Sequence, residues 1–192
     1  MKTENLTLQE IRDIYRQRLT DDFPRNERKT LGVIEKSIRK ERYRCFGLKE
    51  ADELLAYAFF VYLPENGKEY CLLDYYAVER KRRGTGIGSL FLKMLCTDQL
   101  KDADCALLEV EDPECAEEDR ETRERRLRFY LRNGMTDTGV KAAVFGADFM
   151  ILRMPVGEAN ADFRDIYQHF YRAILPGPVF RAAVRMKSET AT

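Results

Sequence analysis

Three glycines stand at alternate positions near the middle of the chain, directly after a run of basic residues. Gly84, Gly86 and Gly88 let the backbone approach a ligand closely, because glycine has no Cβ and tolerates positive φ. An apolar helix is predicted to follow, and its first N–H groups lie at the positive end of the helix dipole. We therefore predict a turn that binds phosphate. The basic residues before it are Arg80, Lys81, Arg82 and Arg83.

The spacing of these glycines excludes two common nucleotide-binding motifs. The dinucleotide fingerprint GxGxxG, begun at Gly84, needs glycine at position 89, where Ser89 stands. A P-loop needs GxxxxGK followed by serine or threonine, and the chain has no such lysine here. Two alternatives remain: the turn holds another phosphate compound, or its glycines only shape a tight start to the helix.

The elements that must position this turn run from helices to antiparallel strands and then to a strand–helix–strand unit. Thr7 and Glu10 predict a capping box, and Asn66-Gly67 predicts a hairpin. The strand–helix–strand unit is most simply a parallel crossover. The fold class is therefore α/β (α+β), with a mixed, mostly antiparallel sheet and flanking helices. Predicted helices cover 7–19, 26–40, 86–100, 117–132 and 158–175, and predicted strands cover 43–48, 54–62, 70–78, 105–111, 135–140 and 144–154.

The helix predicted over 158–175 carries a broad apolar stripe. This stripe could pack on the surface of its own domain, form a dimer interface, or act as a lid over the substrate site. The motif PGP at 176–178 ends the helix, and the polar KSETAT sequence at the end predicts a disordered tail. The stripe consists of Phe163, Ile166, Tyr167, Phe170, Tyr171 and Ile174.

The composition excludes several functional classes. The 33 Lys and Arg residues balance 33 Asp and Glu residues, which argues against a general polyanion binder such as a nucleic-acid-binding protein. No apolar run is long enough to span a membrane. Five scattered cysteines without a CxxC motif, and the single histidine His169, argue against a zinc site and favour a reduced, cytoplasmic location. The scarcity of histidine also argues against a His-centred catalytic triad.

Two motifs, in this order, resemble those of the GCN5-related N-acetyltransferases, the GNAT superfamily. Arg83-x-x-Gly86-x-Gly88, after a strand that ends in Ala77-Val78, is similar to the family's pyrophosphate-binding motif. Phe129-Tyr130-Leu131-Arg132-Asn133-Gly134-Met135 is similar to its FYxxxGF segment. The resemblance covers roughly residues 7–154. It implies an acetyltransferase-like domain over 1–155, a C-terminal helical extension over 156–187 and a disordered tail over 188–192.

The chain departs from the family's pattern in two places. Residues 1–6 show no convincing counterpart of the family's first strand. In the helix before Tyr130, the family often has an asparagine and an alanine that approach the pantetheine arm of the cofactor, whereas this chain has Arg123 and Arg126. Those two pantetheine contacts are therefore not carried over.

The resemblance implies acetyl transfer from acetyl-coenzyme A (acetyl-CoA), a co-substrate used without a metal, to a primary amine. The N–H groups of residues 83–88, supported by the Arg83 side chain, are expected to bind the diphosphate. Main-chain N–H groups near Val78, where strand 70–78 diverges from strand 105–111, are expected to polarise the thioester carbonyl. The residues expected to bind the cofactor are Tyr76, Ala77, Val78, Arg83, Gly84, Thr85, Gly86, Ile87, Gly88, Ser89 and Asn133.

Four residues are candidates for the catalytic steps: Tyr130 as the acid, and Asp74, Glu109 and Glu111 as the base. Tyr130, carried over onto the family's FY position, is expected to protonate the departing thiolate, and the alternative is a tyrosine packed in the core. An attacking amine must lose a proton, so a carboxylate is needed to accept it. Asp74 interrupts an apolar strand, and Glu109 shares one face of the next strand with Glu111. The alternative for each carboxylate is a solvated or salt-bridged side chain.

The main hypothesis is an N-acetyltransferase that works by direct transfer in a ternary complex, with no covalent intermediate. The expected acceptor is a small-molecule or peptide amine, and the carboxylates favour a cationic one such as a polyamine, an aminoglycoside or a lysine side chain. A homodimer is a further option, whereas nucleic acid and membrane partners are not expected. Two other hypotheses remain: a non-catalytic acyl-CoA-binding or regulatory module on the same fold, and a nucleotide-binding protein of another class.

Overall fold

The computed structural model describes residues 1–65, 67–115, 117 and 119–187. The chain divides into two compact units. The first comprises Met1–Pro64 and Leu73–Gln99, and the second comprises Glu65–Leu72 and Leu100–Thr192. Each unit contains part of strand β4 (Lys68–Val78) in a mostly antiparallel open sheet flanked by helices. The predicted α/β (α+β) fold class is therefore confirmed.

The sheet of the first unit has the order β1-β2-β3-β4. Strand β1 corrects the expectation that residues 1–6 provide no first strand. Its sequence KTEN has no apolar alternation, so its strand conformation comes from antiparallel pairing with β2, where Lys2 lies opposite Lys49. The strands of this unit are β1 (Lys2–Asn5), β2 (Tyr43–Glu50), β3 (Glu53–Glu65) and residues 73–78 of β4.

Strand β3 forms the core of the first unit. Every residue from Leu55 to Leu63 is buried, which is expected of a central strand covered on both faces. Tyr57, Phe59 and Phe60 are among the largest fully buried side chains. Burying each such side chain contributes roughly 1.5–3 kcal/mol, so this strand is a main source of the unit's stability.

The first helix, α1 (Leu8–Ile14), begins at the predicted capping box. The Glu10 N–H donates to Thr7 Oγ1 at 3.3 Å, and the Thr7 N–H donates to Glu10 Oε2 at 2.7 Å. A π-helical turn over Tyr15–Leu19 and the short α2 (Thr20–Asp22) continue the chain. The predicted helix therefore exists, although its second half has π-helical rather than α-helical bonding.

Two further helices of the first unit are shorter than predicted. Helix α3 (Leu31–Arg39) begins well after position 26, because Thr30 Oγ1 caps the Val33 N–H and a 3-10 turn precedes it. Helix α4 (Ile87–Met94) follows the glycine turn and gives way to a π-helical turn over Leu95–Gln99. The predicted strand–helix–strand order is confirmed.

The sheet of the second unit has the order β4-β5-β7-β6-β8, in which β7 pairs antiparallel with both β5 and β6. The Asp104 N–H donates to the Glu69 carbonyl at 2.9 Å and so joins the start of β5 to the first part of β4. The strands are residues 68–72 of β4, β5 (Cys105–Glu111), β6 (Thr136–Val144), β7 (Ala147–Gly157) and β8 (Val184–Met186). The helices are α5 (Arg120–Arg132), α6 (Phe163–Ile174) and α7 (Gly177–Ala183).

Three details of the second unit differ from the sequence-based prediction. The β6–β7 turn lies at Phe145-Gly146, with φ of +49° and +86°, rather than at 141–143. Phenylalanine rarely takes such a φ, so no turn signal marked this pair. Helix α7 begins within the PGP sequence that was predicted only to end the preceding helix. Strand β8 lies within the segment 156–187 predicted as a helical extension, and it is a strand through its pairing with β6. Asn66 of the predicted hairpin and the predicted tail at 188–192 lie outside the described residues.

Two findings concern membrane-spanning helices and the state of the cysteines. Among the described residues, no helix combines the length and the apolar character that a membrane span requires. The five cysteines are all free thiols, and three of them, Cys45, Cys71 and Cys105, are buried.

Candidate active site

The glycine turn lies between the end of β4 at Val78 and the start of α4 at Ile87. Gly84 and Gly86 have φ angles of +80° and +89°, in the left-handed region that glycine adopts without strain. Gly86 is also the N-cap of α4, and no side chain caps that helix. The turn itself therefore requires glycine at both positions.

This turn presents N–H donors that the protein does not use. Among the described residues, the backbone N–H groups of Gly84, Thr85 and Gly86 have no hydrogen-bond acceptor, and those in the first turn of a helix have no partner within it. A Cβ built on Gly84 or Gly86 would meet no heavy atom within 4 Å. Successive N–H donors at the positive end of a helix, with open space beside them, are suited to bind an anion.

Arg83 fastens this turn to the rest of the first unit. Its Nε donates to the Val78 carbonyl at 3.0 Å, and its Nη2 lies 2.7 Å from Asp22 Oδ1. The Asp22 side chain is only 7% exposed and also accepts a hydrogen bond from the buried Tyr57 hydroxyl at 3.0 Å. Burial and this carboxylate raise the pKa of Tyr57, so the phenol keeps its proton and donates. Arg83 thus holds the turn in place.

We expect Asp22→Asn to weaken the binding of CoA about fivefold, because the Arg83 guanidinium loses its charged partner and the turn becomes less fixed. Isothermal titration calorimetry gives the dissociation constant. The matched control is Asp21→Asn, since the Asp21 side chain is exposed and only its backbone carbonyl contacts Arg80. Equal affinities of the two variants would contradict the role of Asp22.

Tyr76 ties α4 to β4. Its hydroxyl donates to the Gly88 carbonyl at 2.6 Å, and its ring stacks on Phe91 with centroids 5.6 Å apart. The structure therefore places this predicted cofactor residue beneath the first turn of α4. Ala77 is buried next to it. The direct contact of either residue with a cofactor stays a prediction.

Asp74 lies on the same strand, four residues before Val78, and its carboxylate is engaged. Lys29 Nζ is 2.5 Å from its Oδ1, and the Tyr43 hydroxyl donates to its Oδ2. The Asp74 side chain is 14% exposed and the Lys29 side chain 32%. Burial and the Asp74 charge raise the pKa of Tyr43 well above its ordinary value, so this phenol stays protonated.

In the second unit, the Glu109 carboxylate also accepts two hydrogen bonds. The Tyr167 and Tyr171 hydroxyls donate to its Oε1 at 2.5 and 2.6 Å. Both tyrosines lie one turn apart on α6, are buried and stack edge-to-face with centroids 5.3 Å apart. The apolar stripe of α6 thus packs on the unit that contains it, which is the first of the three predicted uses.

Tyr130 lies near the end of α5 and is buried, with its ring against Phe129 at a centroid distance of 5.2 Å. Burial raises its pKa to about 12, against a smaller opposing effect of Arg126. Asn133 Nδ2 donates to the Phe129 carbonyl at 2.7 Å, and Gly134 has a φ of +86°. The FYxxxGF-like segment therefore ends α5 at Arg132, where the predicted helix over 117–132 also ends, and the Asn133 amide is part of the C-cap.

Arg123 and Arg126, for which no pantetheine contact is carried over, bind a carboxylate of β5. Arg123 Nη2 lies 3.2 Å from Glu111 Oε1, and Arg126 Nη1 lies 2.7 Å from Glu111 Oε2. Glu111 is therefore salt-bridged, which is the alternative that the sequence left open for it.

Several side chains of these clusters were not among the predicted site residues. Asp22, Tyr57 and Lys29 contact partners 35 to 61 positions away, and no local pattern marks such contacts. A weak signal existed for Tyr167 and Tyr171, since a buried tyrosine hydroxyl in an apolar stripe needs a partner.

Comparisons with known proteins agree with the two motifs. The sequence profile described as "Acetyltransferase (GNAT) family" matches residues 8–135. The search of curated proteins finds no match.

Solved structures share the fold. A protein assigned to the GNAT family of acetyltransferases, from Bacteroides thetaiotaomicron, is 21% identical with a TM-score of 0.69, over 89% of this chain and 96% of its own. An Escherichia coli N-acetyltransferase for an alanine of a ribosomal protein is 18% identical, with a TM-score of 0.57 over 84% and 97%. A chimeric spermidine N-acetyltransferase from Vibrio cholerae is 15% identical, with a TM-score of 0.59 over 80% and 96%.

Proposed function

Because the chain belongs to the GNAT family of acetyltransferases, we propose that it transfers the acetyl group of acetyl-CoA to a primary amine, directly and within a ternary complex. The glycine turn carries this proposal: two left-handed glycines, N–H donors without a protein acceptor, and an arginine that fixes the turn to β4. Two of the structural neighbours are named for amine acceptors, an alanine and spermidine.

Binding of the cofactor begins at its diphosphate. The N–H groups of residues 84–89 donate to the phosphate oxygens, and the dipole of α4 adds a favourable field. Arg83 contributes by holding the turn against Val78 and Asp22. Because these donors are in place before the ligand arrives, little of the binding free energy is lost in ordering the turn.

The reaction forms an N–C bond between the amine and the acetyl carbon and breaks the C–S bond of the thioester. Main-chain N–H groups at the end of β4, near Val78, stabilise the negative charge that develops on the carbonyl oxygen. The amine nitrogen passes its proton to a carboxylate, directly or through water. Asp74 and Glu109 both remain candidates for this base.

The departing thiolate takes its proton from Tyr130, by carry-over from the family's motif. A phenol with a pKa raised to about 12 is fully protonated at neutral pH, so it can donate. Its proton is then replaced from solvent or from the carboxylate that received the amine proton. This assignment gives each of the two proton transfers its own residue.

A second candidate function is a non-catalytic acyl-CoA-binding or regulatory module. This function is favoured by the hydrogen bonds that both candidate carboxylates already accept. Lys29 and Tyr43 donate to Asp74, and Tyr167 and Tyr171 donate to Glu109. A base that already accepts strong hydrogen bonds is less ready to take a proton.

Release of free thiol from acetyl-CoA, followed with a panel of amines, separates the two functions. The enzyme hypothesis predicts release that rises and saturates with the concentration of at least one amine, above the rate of hydrolysis without amine. Binding of CoA without any amine-dependent release would favour the non-catalytic module.

A further inference from the structure

A thiol, an ammonium and a carboxylate from three elements of the second unit meet at one place. Cys115 ends a 3-10 turn, Asp148 lies on β7, and Lys187 directly follows β8. Lys187 Nζ lies 3.5 Å from Cys115 Sγ and 2.8 Å from Asp148 Oδ1. Cys115 is exposed and the Lys187 side chain is 37% exposed, so a reagent in solution can reach both nucleophiles.

Main-chain hydrogen bonds fix the segments that carry these side chains. The Cys115 N–H donates to the Asp112 carbonyl at 3.2 Å, and the Asp112 N–H donates to the Asp148 carbonyl at 2.9 Å. The Lys187 N–H donates to the Lys141 carbonyl at 2.9 Å. The fold therefore keeps the thiol and the ammonium together, and a group attached to one of them lies beside the other.

Lys141 is closely similar to Lys187 but has no thiol beside it. Its Nζ lies 2.8 Å from Asp112 Oδ2, the same distance as between Lys187 and Asp148, and its side chain is also 37% exposed. Within the part of the chain that the structure describes, the ion pairs of the Lys141 ammonium are with carboxylates. A difference in acetylation between these two lysines would therefore point to Cys115.

We propose that Cys115 takes the acetyl group of a thioester such as acetyl-CoA and passes it to Lys187, which makes Lys187 a site of self-acetylation. First, the Cys115 sulfur attacks the thioester carbonyl. A C–S bond to Cys115 forms, the C–S bond of the donor breaks, and the proton of the Cys115 thiol ends on the released donor thiol.

In the second step Lys187, after its ammonium has lost one proton to water, attacks the acetyl carbon on Cys115. An N–C bond forms, the C–S bond to Cys115 breaks, and the sulfur takes up the proton that the amine nitrogen loses. An amide is more stable than a thioester, so the transfer runs one way and regenerates the thiol.

The distance between the two nucleophiles suits this second step. Rotation about the Cβ–Sγ bond of Cys115 brings the acetyl carbon to about 3–3.5 Å from Lys187 Nζ, which is the separation of a near-attack geometry. The transfer is also intramolecular, so the effective concentration of the acetyl group at Lys187 far exceeds that of the thioester in solution.

Charged groups on the neighbouring elements set the pH dependence of both steps. Burial and the Asp148 carboxylate raise the pKa of the Cys115 thiol, to which the Asp112 charge adds, against a smaller opposing effect of Lys187. Asp148 also raises the pKa of Lys187, and Lys141 is paired with Asp112. Both nucleophiles therefore keep their protons at neutral pH, so self-acetylation should be slow there and faster as pH rises.

The test incubates the full chain with N,S-diacetylcysteamine at mildly alkaline pH and follows acetylation of each lysine by peptide mass spectrometry. This donor is an acetyl thioester without the diphosphate of CoA. Lys187 is expected to be acetylated about tenfold faster than Lys141, and Cys115→Ser should remove that difference. Cys96→Ser, a change at a half-buried cysteine, is the matched control and should preserve it. In Lys187→Met the acetyl group should stay on Cys115 as a thioester that hydroxylamine cleaves.

Equal acetylation of Lys187 in the wild type and in folded Cys115→Ser would overturn the proposal, because the amine would then react with the donor directly. Equal rates at Lys187 and Lys141, or acetylation that stops at Cys115 in the wild type, would also overturn it. If thermal melts show that Cys115→Ser does not fold, Cys115→Ala replaces it. Failure of both variants to fold would show that the thiol is structural, which also contradicts the proposal.

Failure of the proposed function is recognised separately with acetyl-CoA as a second donor. The preference for Lys187 is expected with both donors, and it should persist in Gly86→Ala, which alters the glycine turn. Labelling of Lys187 that needs acetyl-CoA and is lost in Gly86→Ala would mean that the acetyltransferase site modifies this lysine, and the route through Cys115 would be wrong. Labelling that depends on Cys115, in a protein that does not bind CoA, would contradict only the proposed function.

Discussion

Replacing Gly86 with alanine is expected to weaken CoA binding by about 100-fold while the protein stays folded. At a φ of +89° an alanine costs about 1–2 kcal/mol in backbone strain. No protein atom lies within 4 Å of the new Cβ, so the fold meets no clash. The methyl group instead fills the space in which we place the diphosphate, and the strain disturbs the donors of residues 84–86.

Gly139→Ala is the matched control for this substitution. Gly139 also has a positive φ, +74°, and its added Cβ would also meet no heavy atom within 4 Å. Both variants should therefore lose similar stability in thermal melts, whereas only Gly86→Ala should lose affinity in calorimetric titrations. Equal CoA affinities of the two variants would show that the glycine turn does not bind the cofactor.

Tyr130→Phe is expected to lower kcat about 100-fold and to leave the dissociation constant of CoA within about twofold, as the loss of a general acid does. The phenol, whose pKa burial raises to about 12, stays protonated as pH rises through the neutral range. Loss of the Tyr130 hydroxyl should therefore lower kcat across the whole neutral range without shifting the pH values at which kcat rises or falls. Stopped assays of thiol release under saturating amine give kcat.

The control for the hydroxyl is Tyr70→Phe, the same change at a half-buried tyrosine of β4. It should leave kcat close to that of the wild type. If Tyr130→Phe keeps the wild-type rate and is folded, Tyr130 is a packing residue, and the proton for the thiolate comes from another group.

The part of the fold that local sequence determines was predicted. Three features depend on residues a few positions apart: the capping box of Thr7 and Glu10, the order of strands around the glycine turn, and the end of α5 at Arg132. Strand β1, strand β8 and the turn at Phe145 were not predicted. Each depends on a neighbouring strand, because pairing can make a strand from a sequence without alternation.

The same distinction holds for the site. The glycine turn was predicted because its conformation needs glycine at Gly84 and Gly86, and that requirement is visible in the sequence. The side-chain contacts around the turn were not predicted, because they join residues that are far apart in the sequence. Asp22 and Arg83 are 61 positions apart, and Lys29 and Asp74 are 45 positions apart. Which carboxylate serves as the base depends on such contacts.

Titration of CoA into the folded wild-type protein measures the anion-binding capacity of the glycine turn most directly. The expected result is saturable heat with one molecule of CoA per chain and a dissociation constant in the micromolar range. A flat titration, with circular dichroism showing a folded protein in the same sample, would contradict the assignment of this turn to the cofactor and every step proposed from it.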